Sequence, residues 1–258
     1  MNPLVSVIVP VYNTEKYVEE AVSSILSQSY TNIECIVIND CSTDGSVEKL
    51  ARFTLDNRVV VINLEKRVGV GRARNIGQSI ARGTFIAFCD SDDFWHRDKL
   101  VEQVGFLIKN NLSFTCTSYY YINSVGGIIS IFNPDKVINY SSLLNKCDIG
   151  TSTVIYNKEV LGILLMPGTR LKQDYLTWLC LLKDIGEIKA MCKPLVSIRV
   201  HTSSNSSNKL RAAYYQFYAL NLHLATGIFS FELMKHFSIY VFNGFRKHNW
   251  TLPKFFSR

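Results

Sequence analysis

Apolar and polar positions form alternating blocks along the first 110 residues. There are four apolar blocks, and after each of them hydrophobic residues recur with helical spacing. This spacing predicts helices at residues 15–28, from residue 44, at 69–82 and at 96–110. The blocks themselves are rich in β-branched residues, as in strands buried on both faces of a sheet. They are residues 4–11, 33–39, 58–63 and 84–89. Strands that alternate with helices over short connections predict a parallel, doubly wound α/β sheet.

The second half of the chain has a less regular pattern. Residues 174–183 predict a short helix, residues 202–208 a Ser/Asn-rich loop, and residues 211–248 two aromatic-rich helices. Four further apolar runs predict strands of a mixed or antiparallel region, at 113–122, 127–132, 152–156 and 194–201. We therefore expect one domain over residues 1–205, with halves that meet near residue 110, and a helical extension over residues 206–258.

Composition narrows the class of protein. Hydrophobic residues make up 47% of 258 residues, as in a globular domain, and no window of about 18 residues is apolar enough to predict a transmembrane helix. The N-terminus lacks the layout of a signal peptide, so we expect a cytoplasmic protein. The seven cysteines include no C-x-x-C pair, which argues against a zinc site.

The net charge of +7 is concentrated in the C-terminal extension. Residues 205–258 hold seven basic residues and one acid, a balance of +6, interleaved with aromatic residues. Basic and aromatic side chains together suit the surface of an anionic membrane, so we expect peripheral docking on the inner face of the plasma membrane. The alternative is that these aromatics pack on the first domain or on a second subunit, which leaves a homo-oligomer open.

Candidate chemistry follows the strands. Ligands of doubly wound sheets bind beyond the carboxyl ends of the strands, where the sequence places Tyr12, Asp40 and the acidic run Asp90-Ser91-Asp92-Asp93. Oxygen ligands suit Mg²⁺ or Mn²⁺, so the acidic run predicts a metal-diphosphate site. The alternatives are a solvated acidic turn for the run and a helix N-cap for Asp40.

Three further positions are candidates with open alternatives. Arg72 and Arg74 begin a helix, where arginine can hold phosphate, although exposed arginines on a glycine turn would look the same. Residues 69–74 begin like a G-x-G-x-x-G motif, but Arg74 stands where the last glycine would be, which excludes a dinucleotide-binding fingerprint. Asp174 is either a general base or a helix N-cap, and His201 either a ligand or a surface histidine.

The order of six segments resembles family-2 glycosyltransferases with the GT-A fold. The resemblance spans about residues 3–205, and the RVH-then-SSNK ending resembles bacterial transferases that build O-antigen and exopolysaccharide repeat units. Its motifs are SVIVPVYN (6–13), INDCSTDGS (38–46), RARNIG (72–77), FCDSDDFW (88–95), QDYLTW (173–178) and IRVH (198–201). It implies a GT-A-type, mainly parallel sheet, with a nucleotide-binding half at 1–110 and a mixed acceptor half at 111–205.

The same resemblance implies a role for each matching residue. Asp174 matches the presumed base, and the chain departs from the family at Gln173, where an acid is usual, and at Cys41, where glycine is common. The nucleotide-sugar site would comprise Pro10, Tyr12, Asp40, Arg74 and Asp90, and the metal would be held by Asp92 with His201.

The implied reaction is a single displacement with inversion, assisted by Mn²⁺ or Mg²⁺. The donor would be a UDP-sugar, with glucose or galactose as a guess, and the acceptor a lipid-linked saccharide such as GlcNAc-diphospho-undecaprenol. No nucleic-acid partner is expected. A nucleotidyltransferase is disfavoured because residues 11–15 are not a glycine-rich basic loop. A non-catalytic sugar-nucleotide-binding module would need neither Asp92 nor Asp174.

Overall fold

The protein is seen in a computed structural model, which describes residues 2–200, 209–224 and 230–247. The strands are β1 (Val5–Val11), β2 (Ile33–Asn39), β3 (Val59–Asn63), β4 (Phe85–Phe88), β5 (Phe94–Trp95), β6 (Phe114–Thr115), β7 (Thr117–Ile122), β8 (Ile128–Phe132), β9 (Val137–Asn139), β10 (Ile155–Asn157), β11 (Glu187–Lys189) and β12 (Met191–Arg199). The α-helices are α1 (Val18–Leu26), α2 (Ser46–Ala51), α3 (Val70–Ile80), α4 (Lys99–Lys109), α5 (Tyr140–Asn145), α6 (Lys158–Leu161), α7 (Gln173–Ile185), α8 (Lys209–Leu224) and α9 (Phe231–Lys247). Short 3₁₀ helices span Arg52–Leu55 and Thr151–Thr153.

The central sheet has six strands in the order β3-β2-β1-β4-β10-β6. The first four strands are parallel, whereas β10 is antiparallel to both β4 and β6. Every residue of β1 and β2 is buried, which explains their unbroken apolar sequence. The predicted mainly parallel, doubly wound sheet is therefore confirmed.

The second half builds two further sheets, as the prediction of a mixed region implies. A four-stranded sheet has the order β5-β12-β7-β8, and β9 pairs with β11 in a small ribbon. In the four-stranded sheet β12 runs parallel to β7 and antiparallel to β5. Strands from both halves of the sequence thus share both of the larger sheets.

Three predicted elements differ from those in the structure. The predicted strand 113–122 is divided at the fully buried Cys116 into β6 and β7, which enter different sheets. The start of the predicted strand 152–156 is the 3₁₀ helix Thr151–Thr153, and the helix predicted from residue 96 begins at Lys99 because Phe94 and Trp95 pair with β12. In each case tertiary pairing outweighs a local preference.

Two hydrophobic clusters cover the opposite faces of the central sheet. Ile8 of β1 lies in one cluster, and its neighbours Val7 and Val9 lie in the other, as strand geometry requires. Trp178 of α7 packs in the first cluster, with its ring 5.2 Å from that of Phe114. Helix α7 is thereby fixed against the sheet.

Helices α8 and α9 form as predicted, and they pack on the preceding part of the chain with one face. Leu220 and Leu233 are fully buried. Asn243 Nδ2 donates to the Asn145 carbonyl over 3.1 Å, and His236 Nδ1 lies 2.8 Å from Asn145 Oδ1. The extension therefore packs on the protein, which is one of the two alternatives considered for it, but only one side of each helix takes part in this packing.

The other face of these helices exposes large apolar side chains, with Lys235 and Ser238 exposed beside them on α9. Its members are Tyr214, Tyr218, Leu222, Phe231, Met234 and Phe242, and we call them the exposed tail face. On α8 they recur every four residues and therefore form one stripe. Within the described ranges, no helix combines the length and hydrophobicity needed to cross a bilayer.

Candidate active site

The sheet order brings the predicted strand-end residues together. β1 lies between β2 and β4, so Tyr12, Asp40 and Asp90 follow three neighbouring parallel strands at one edge. The Asp40 amide donates to the Val11 carbonyl over 2.8 Å, which extends the β1–β2 ladder to the site. The chain adds β2 and β3 on one side of β1 and then places β4 on its other side. Ligands of doubly wound sheets bind in the crevice where the strand order reverses in this way.

Asp40 organises the loop before α3. Its carboxylate is buried and accepts hydrogen bonds from the Val68 amide at 2.6 Å and the Gly69 amide at 2.8 Å. The Arg67 guanidinium in this loop lies 3.7 Å from the centre of the Tyr12 ring, a cation–π contact. No sequence pattern identified Arg67, because its position depends on how Asp40 folds the loop.

The turns after β1 and β2 are interlocked. The Thr43 amide donates to Asn13 Oδ1 over 2.8 Å, and the Asn13 amide donates to Ser42 Oγ over 3.1 Å. Asn13 and Cys41 both adopt the left-handed conformation, with φ of 51° and 60°. A residue with a Cβ is strained there, which explains physically why glycine is common at the position of Cys41. Pro10 is buried within β1.

Asp90 forms an ion pair with Arg74 of α3, whose side chain is only 3% exposed. Burial raises the pKa of Asp90, Arg74 opposes this shift, and the charge of Asp92 raises it further. The Arg74 Nε has no hydrogen-bond partner among the described residues. The structure thus pairs the predicted phosphate-binding arginine with a strand-end carboxylate and leaves its buried Nε unsatisfied by the described residues.

Asp93 has a different environment from the other two carboxylates of the acidic run. It is buried and accepts hydrogen bonds from Ser152 Oγ at 2.6 Å and from the Arg199 amide at 3.0 Å. Burial, with the charges of Asp92 and Asp90, raises its pKa well above the usual value. Asp93 therefore links the acidic run to β12, and Asp90 and Asp92 remain the candidates for ligand chemistry.

Asp90 and Asp92 fit a divalent cation. Both supply hard oxygen donors, and their mutual repulsion, visible in the raised pKa of Asp90, would be relieved by a cation. No group of three His, Cys, Asp or Glu side chains suited to a metal occurs in the part of the chain described. Mg²⁺-type sites often use one or two carboxylates and complete the shell with water and phosphate. His201, predicted to join them, lies outside the described residues.

Asp174 is the second residue of α7, not its N-cap. Lys172 occupies the N-cap position, in the left-handed conformation with φ of 66°, and Asp174 Oδ1 accepts the Tyr175 amide of the first turn over 2.8 Å. Thr151 Oγ1 donates to Asp174 Oδ2 over 2.6 Å. Gln173, where the family usually has an acid, is buried.

The turn Thr151–Thr153 joins the two sides of the site. β10 is antiparallel to β4, so the residues before β10 lie at the carboxyl end of β4. Ser152 Oγ accepts from the Asp90 amide at 3.0 Å and donates to Asp93, while the adjacent Thr151 donates to Asp174. Because consecutive Cα atoms are about 3.8 Å apart, the acidic run and Asp174 are held by one short segment.

A second connection joins α3 to the loop before α7. Asn75 and the Met166 backbone exchange hydrogen bonds of 2.8 and 2.9 Å, and Gln78 bonds the Leu164 backbone at 3.0 and 3.1 Å. The side-chain amides of Asn75 and Gln78 thereby satisfy backbone N–H and C=O groups of the loop that would otherwise have to bond to water. Sequence patterns did not identify Asn75 or Gln78, because their partners lie about 90 positions away along the chain.

The fold is also found in a solved glycosyltransferase. The mannosyltransferase PcManGT from Pyrobaculum calidifontis, solved with GDP-Man and Mn²⁺, superposes with a TM-score of 0.67 at 19% identity, covering 94% of this chain and 70% of that one. The doubly wound sheet with carboxylates at its strand ends is thus the GT-A fold of glycosyltransferases.

The sequence defines the family within that class. Residues 6–161 match the model of Glycosyl transferase family 2, to which this chain belongs. It is 38% identical over 213 residues to TuaG of Bacillus subtilis (strain 168), a glycosyltransferase named for teichuronic acid biosynthesis, with 82% of this chain and 84% of TuaG covered. It is also 38% identical over 209 residues to WfgD of Escherichia coli, named UDP-Glc:alpha-D-GlcNAc-diphosphoundecaprenol beta-1,3-glucosyltransferase, with 81% of each covered.

Proposed function

We propose that this chain transfers a hexose from a UDP-sugar to a hydroxyl of a lipid-linked saccharide, such as GlcNAc-diphospho-undecaprenol, in bacterial O-antigen or exopolysaccharide synthesis. The observation that carries the proposal is the turn containing Thr151 and Ser152, which holds a carboxylate of each side of the site. The activity named for WfgD supports the donor and acceptor classes. Glucose or galactose is the sugar we expect.

On the donor side, the nucleoside would lie at the ends of β1 and β2. Tyr12 and Pro10 would border it, and Asp40 would bind the base edge while it holds the loop before α3. Arg74, whose guanidinium is paired with Asp90 beside the acidic run, would help to hold the diphosphate. Mn²⁺ or Mg²⁺ held by Asp92, with Asp90 and His201, would supply neutralisation of the leaving diphosphate.

On the acceptor side, Asp174 would remove the proton of the attacking hydroxyl. Thr151 Oγ1 donates to Asp174 Oδ2 and the Tyr175 amide donates to Asp174 Oδ1 over 2.8 Å, so both oxygens are oriented, and each would keep a lone pair for the acceptor hydroxyl. The other carboxylates of the site, Asp40 and those of the acidic run, lie on the donor side, so a single displacement with inversion fits the arrangement better than a covalent intermediate.

The test is a panel of nucleotide sugars with a synthetic GlcNAc-diphospho-lipid, with Mn²⁺ or with EDTA. We expect UDP release with one UDP-hexose only when the acceptor and a divalent cation are present. An α-linked donor should give a β-linked product, read from the anomeric proton by NMR. Release of pyrophosphate would indicate a nucleotidyltransferase, UDP binding without turnover a binding module, and an α-linked product would contradict inversion.

We also propose that the exposed tail face docks on the cytoplasmic surface of an anionic membrane, where a lipid-linked acceptor is found. Its apolar side chains lie within residues 205–258, a sequence segment with a net charge of +6. Each cation near an anionic bilayer contributes about 1 kcal/mol, and aromatic rings favour the interface.

Liposome flotation tests this docking. A Tyr214→Ser, Tyr218→Ser, Leu222→Ser variant should float much less than the wild type with anionic vesicles, yet bind UDP normally. Substitution is preferable to truncation, because removal of α8 and α9 would expose the sites of the buried Leu220 and Leu233. Wild-type flotation should weaken at high salt.

The control exchanges exposed apolar residues on the catalytic domain, Leu55→Ser and Val125→Ser, which should leave flotation unchanged. Equal flotation of the tail variant and the wild type, or no wild-type flotation with anionic vesicles, would contradict the docking proposal.

A further inference from the structure

The segment that leads to Asp174 is fixed at one end by α3 and at the other by Lys172. Asn75 and Gln78 hold the backbone of Leu164 and Met166, as described above. Gly71 allows α3 to approach this segment closely, because a Cβ at this position would lie only 2.9 Å from the Pro167 carbonyl oxygen. The segment then turns into α7 at Lys172.

Lys172 has an unfavourable backbone conformation. Its φ of 66° and ψ of 17° are left-handed, which costs a residue with a side chain roughly 1–2 kcal/mol. Its carbonyl accepts the Leu176 amide over 3.0 Å, so this conformation defines the first turn of α7. Strain of this kind persists only where surrounding contacts hold the residue in place.

The side chain of Lys172 contacts the C-terminal extension. Lys172 Nζ donates to Tyr240 Oη of α9 over 3.2 Å. Burial disfavours the Lys172 ammonium, but the nearby Tyr240, Cys147 and Asp174 outweigh this and raise its pKa, so the cation is retained.

Tyr240 lies on the protein-facing side of α9. His236 and Asn243, four residues before and three after it, both contact Asn145 at the end of α5. Phe231, Met234 and Phe242 belong to the exposed tail face, on the opposite side of the same helix. α9 thus presents one face outward and, with the other, holds the residue that begins the helix of Asp174.

We propose that Lys172 is a positioning residue: its bond to Tyr240 fixes the first turn of α7 and thereby places Asp174 for the acceptor hydroxyl. This inference rests on the proposed function, in which Asp174 is the base. It assigns to α9 a part in acceptor chemistry that goes beyond docking.

The experiment compares Lys172→Met and Tyr240→Phe in the full-length protein. Both changes remove the bond, and Tyr240→Phe does so by deleting one oxygen, which limits any effect on folding. Amide hydrogen exchange should become faster across residues 172–177 in both variants. With a water-soluble acceptor analogue, kcat should fall about 5- to 10-fold, while the UDP dissociation constant stays within about twofold, as expected for loss of one hydrogen bond on the acceptor side.

Two further comparisons separate positioning from a general loss of structure. The Lys172→Met, Tyr240→Phe double variant should be no slower than either single variant, because both remove the same bond. In an Asp174→Asn background, Lys172→Met should change turnover less than about twofold. The matched control Lys189→Met, on an exposed side chain, should leave exchange and kcat unchanged.

Unchanged exchange in both variants would show that α9 does not hold this turn and would overturn the inference. An undiminished effect of Lys172→Met in the Asp174→Asn background would also overturn it, since Lys172 would then act on another group. Full turnover by Asp174→Asn alone would instead refute the base assignment and with it this role of Lys172, while exchange would still report whether α9 holds the turn.

Discussion

The donor and acceptor sides of the site are held in place by different kinds of interaction. Asp40 and Asp90 follow parallel strands directly, so the sheet fixes their backbones. Asp174 lies at the start of α7, where Thr151 donates to its carboxylate and Lys172 donates to Tyr240 of α9. The donor side should therefore tolerate a lost side chain without moving, whereas single distant bonds can displace the acceptor-side carboxylate.

The largest expected effect is that of Asp92→Ala on the donor side. Transfer should fall by roughly 10³-fold or more, since the charge of the leaving diphosphate would lose its main counterion ligand. UDP binding should no longer respond to Mn²⁺, while the melting temperature stays close to that of the wild type. Isothermal titration with and without Mn²⁺ measures the binding.

Asp98→Ala is the matched control, since Asp98 is an exposed carboxylate a few residues further along. It should behave as the wild type. Full activity of Asp92→Ala, or of the wild type in excess EDTA, would remove the metal from the proposed reaction.

The second effect, on the acceptor side, is that of Asp174→Asn. Turnover should fall by roughly 10²-fold or more, as for loss of a general base, with UDP binding nearly unchanged. The exposed Asp184 lies on the same helix, and Asp184→Asn should have no effect. Initial rates at saturating donor measure the loss, and near wild-type turnover of Asp174→Asn would rule out its role as base.

This contrast also explains how far the sequence could predict the site. The positions of Asp40 and Asp90 follow from long apolar strands whose ends are visible in the pattern, so the sheet edge could be predicted. The parallel sheet and the family are confirmed, while the roles of the individual site residues stay predictions.

The acceptor side could not be predicted to the same depth. The contact of Thr151 with Asp174 depends on β10 being antiparallel and entering the first sheet, which its three residues do not reveal. The division at Cys116 and the bond from Lys172 to Tyr240 likewise depend on which distant segments meet. Long-range pairing of short strands leaves no periodic signal in the sequence.

Substitutions of the adjacent residues Thr151 and Ser152 should separate the acceptor side of the site from the donor side most sharply. Thr151→Val should lower kcat about 5- to 10-fold through the lost bond to Asp174, with UDP binding unchanged. Ser152→Ala should weaken UDP binding and lower the free energy of unfolding by about 1–3 kcal/mol, because the buried Asp93 loses a donor. Identical kinetic profiles for the two variants would show that the turn does not separate the sides.

The smallest effect concerns the strained turn after β2. Cys41→Gly should raise the free energy of unfolding by up to about 1 kcal/mol, since glycine adopts a φ of 60° without strain. The gain is limited by loss of the contact from Cys41 Sγ to the Leu64 carbonyl. Cys41→Ala keeps the strain and loses the contact, so it should give no gain. Urea unfolding compares them, and a gain for alanine equal to that for glycine would refute strain as the cause.

The shared central sheet limits how such enzymes can be recombined. β6 and β10 come from the second half of the sequence, yet they complete the sheet begun by β1 to β4. A chimaera joined near residue 110 would graft two foreign strands onto β4 and replace the turn that holds both Asp90 and Asp174. New acceptor specificity is therefore more readily obtained by exchanging the surface-facing segments around a retained β4–β10–β6 seam than by swapping halves.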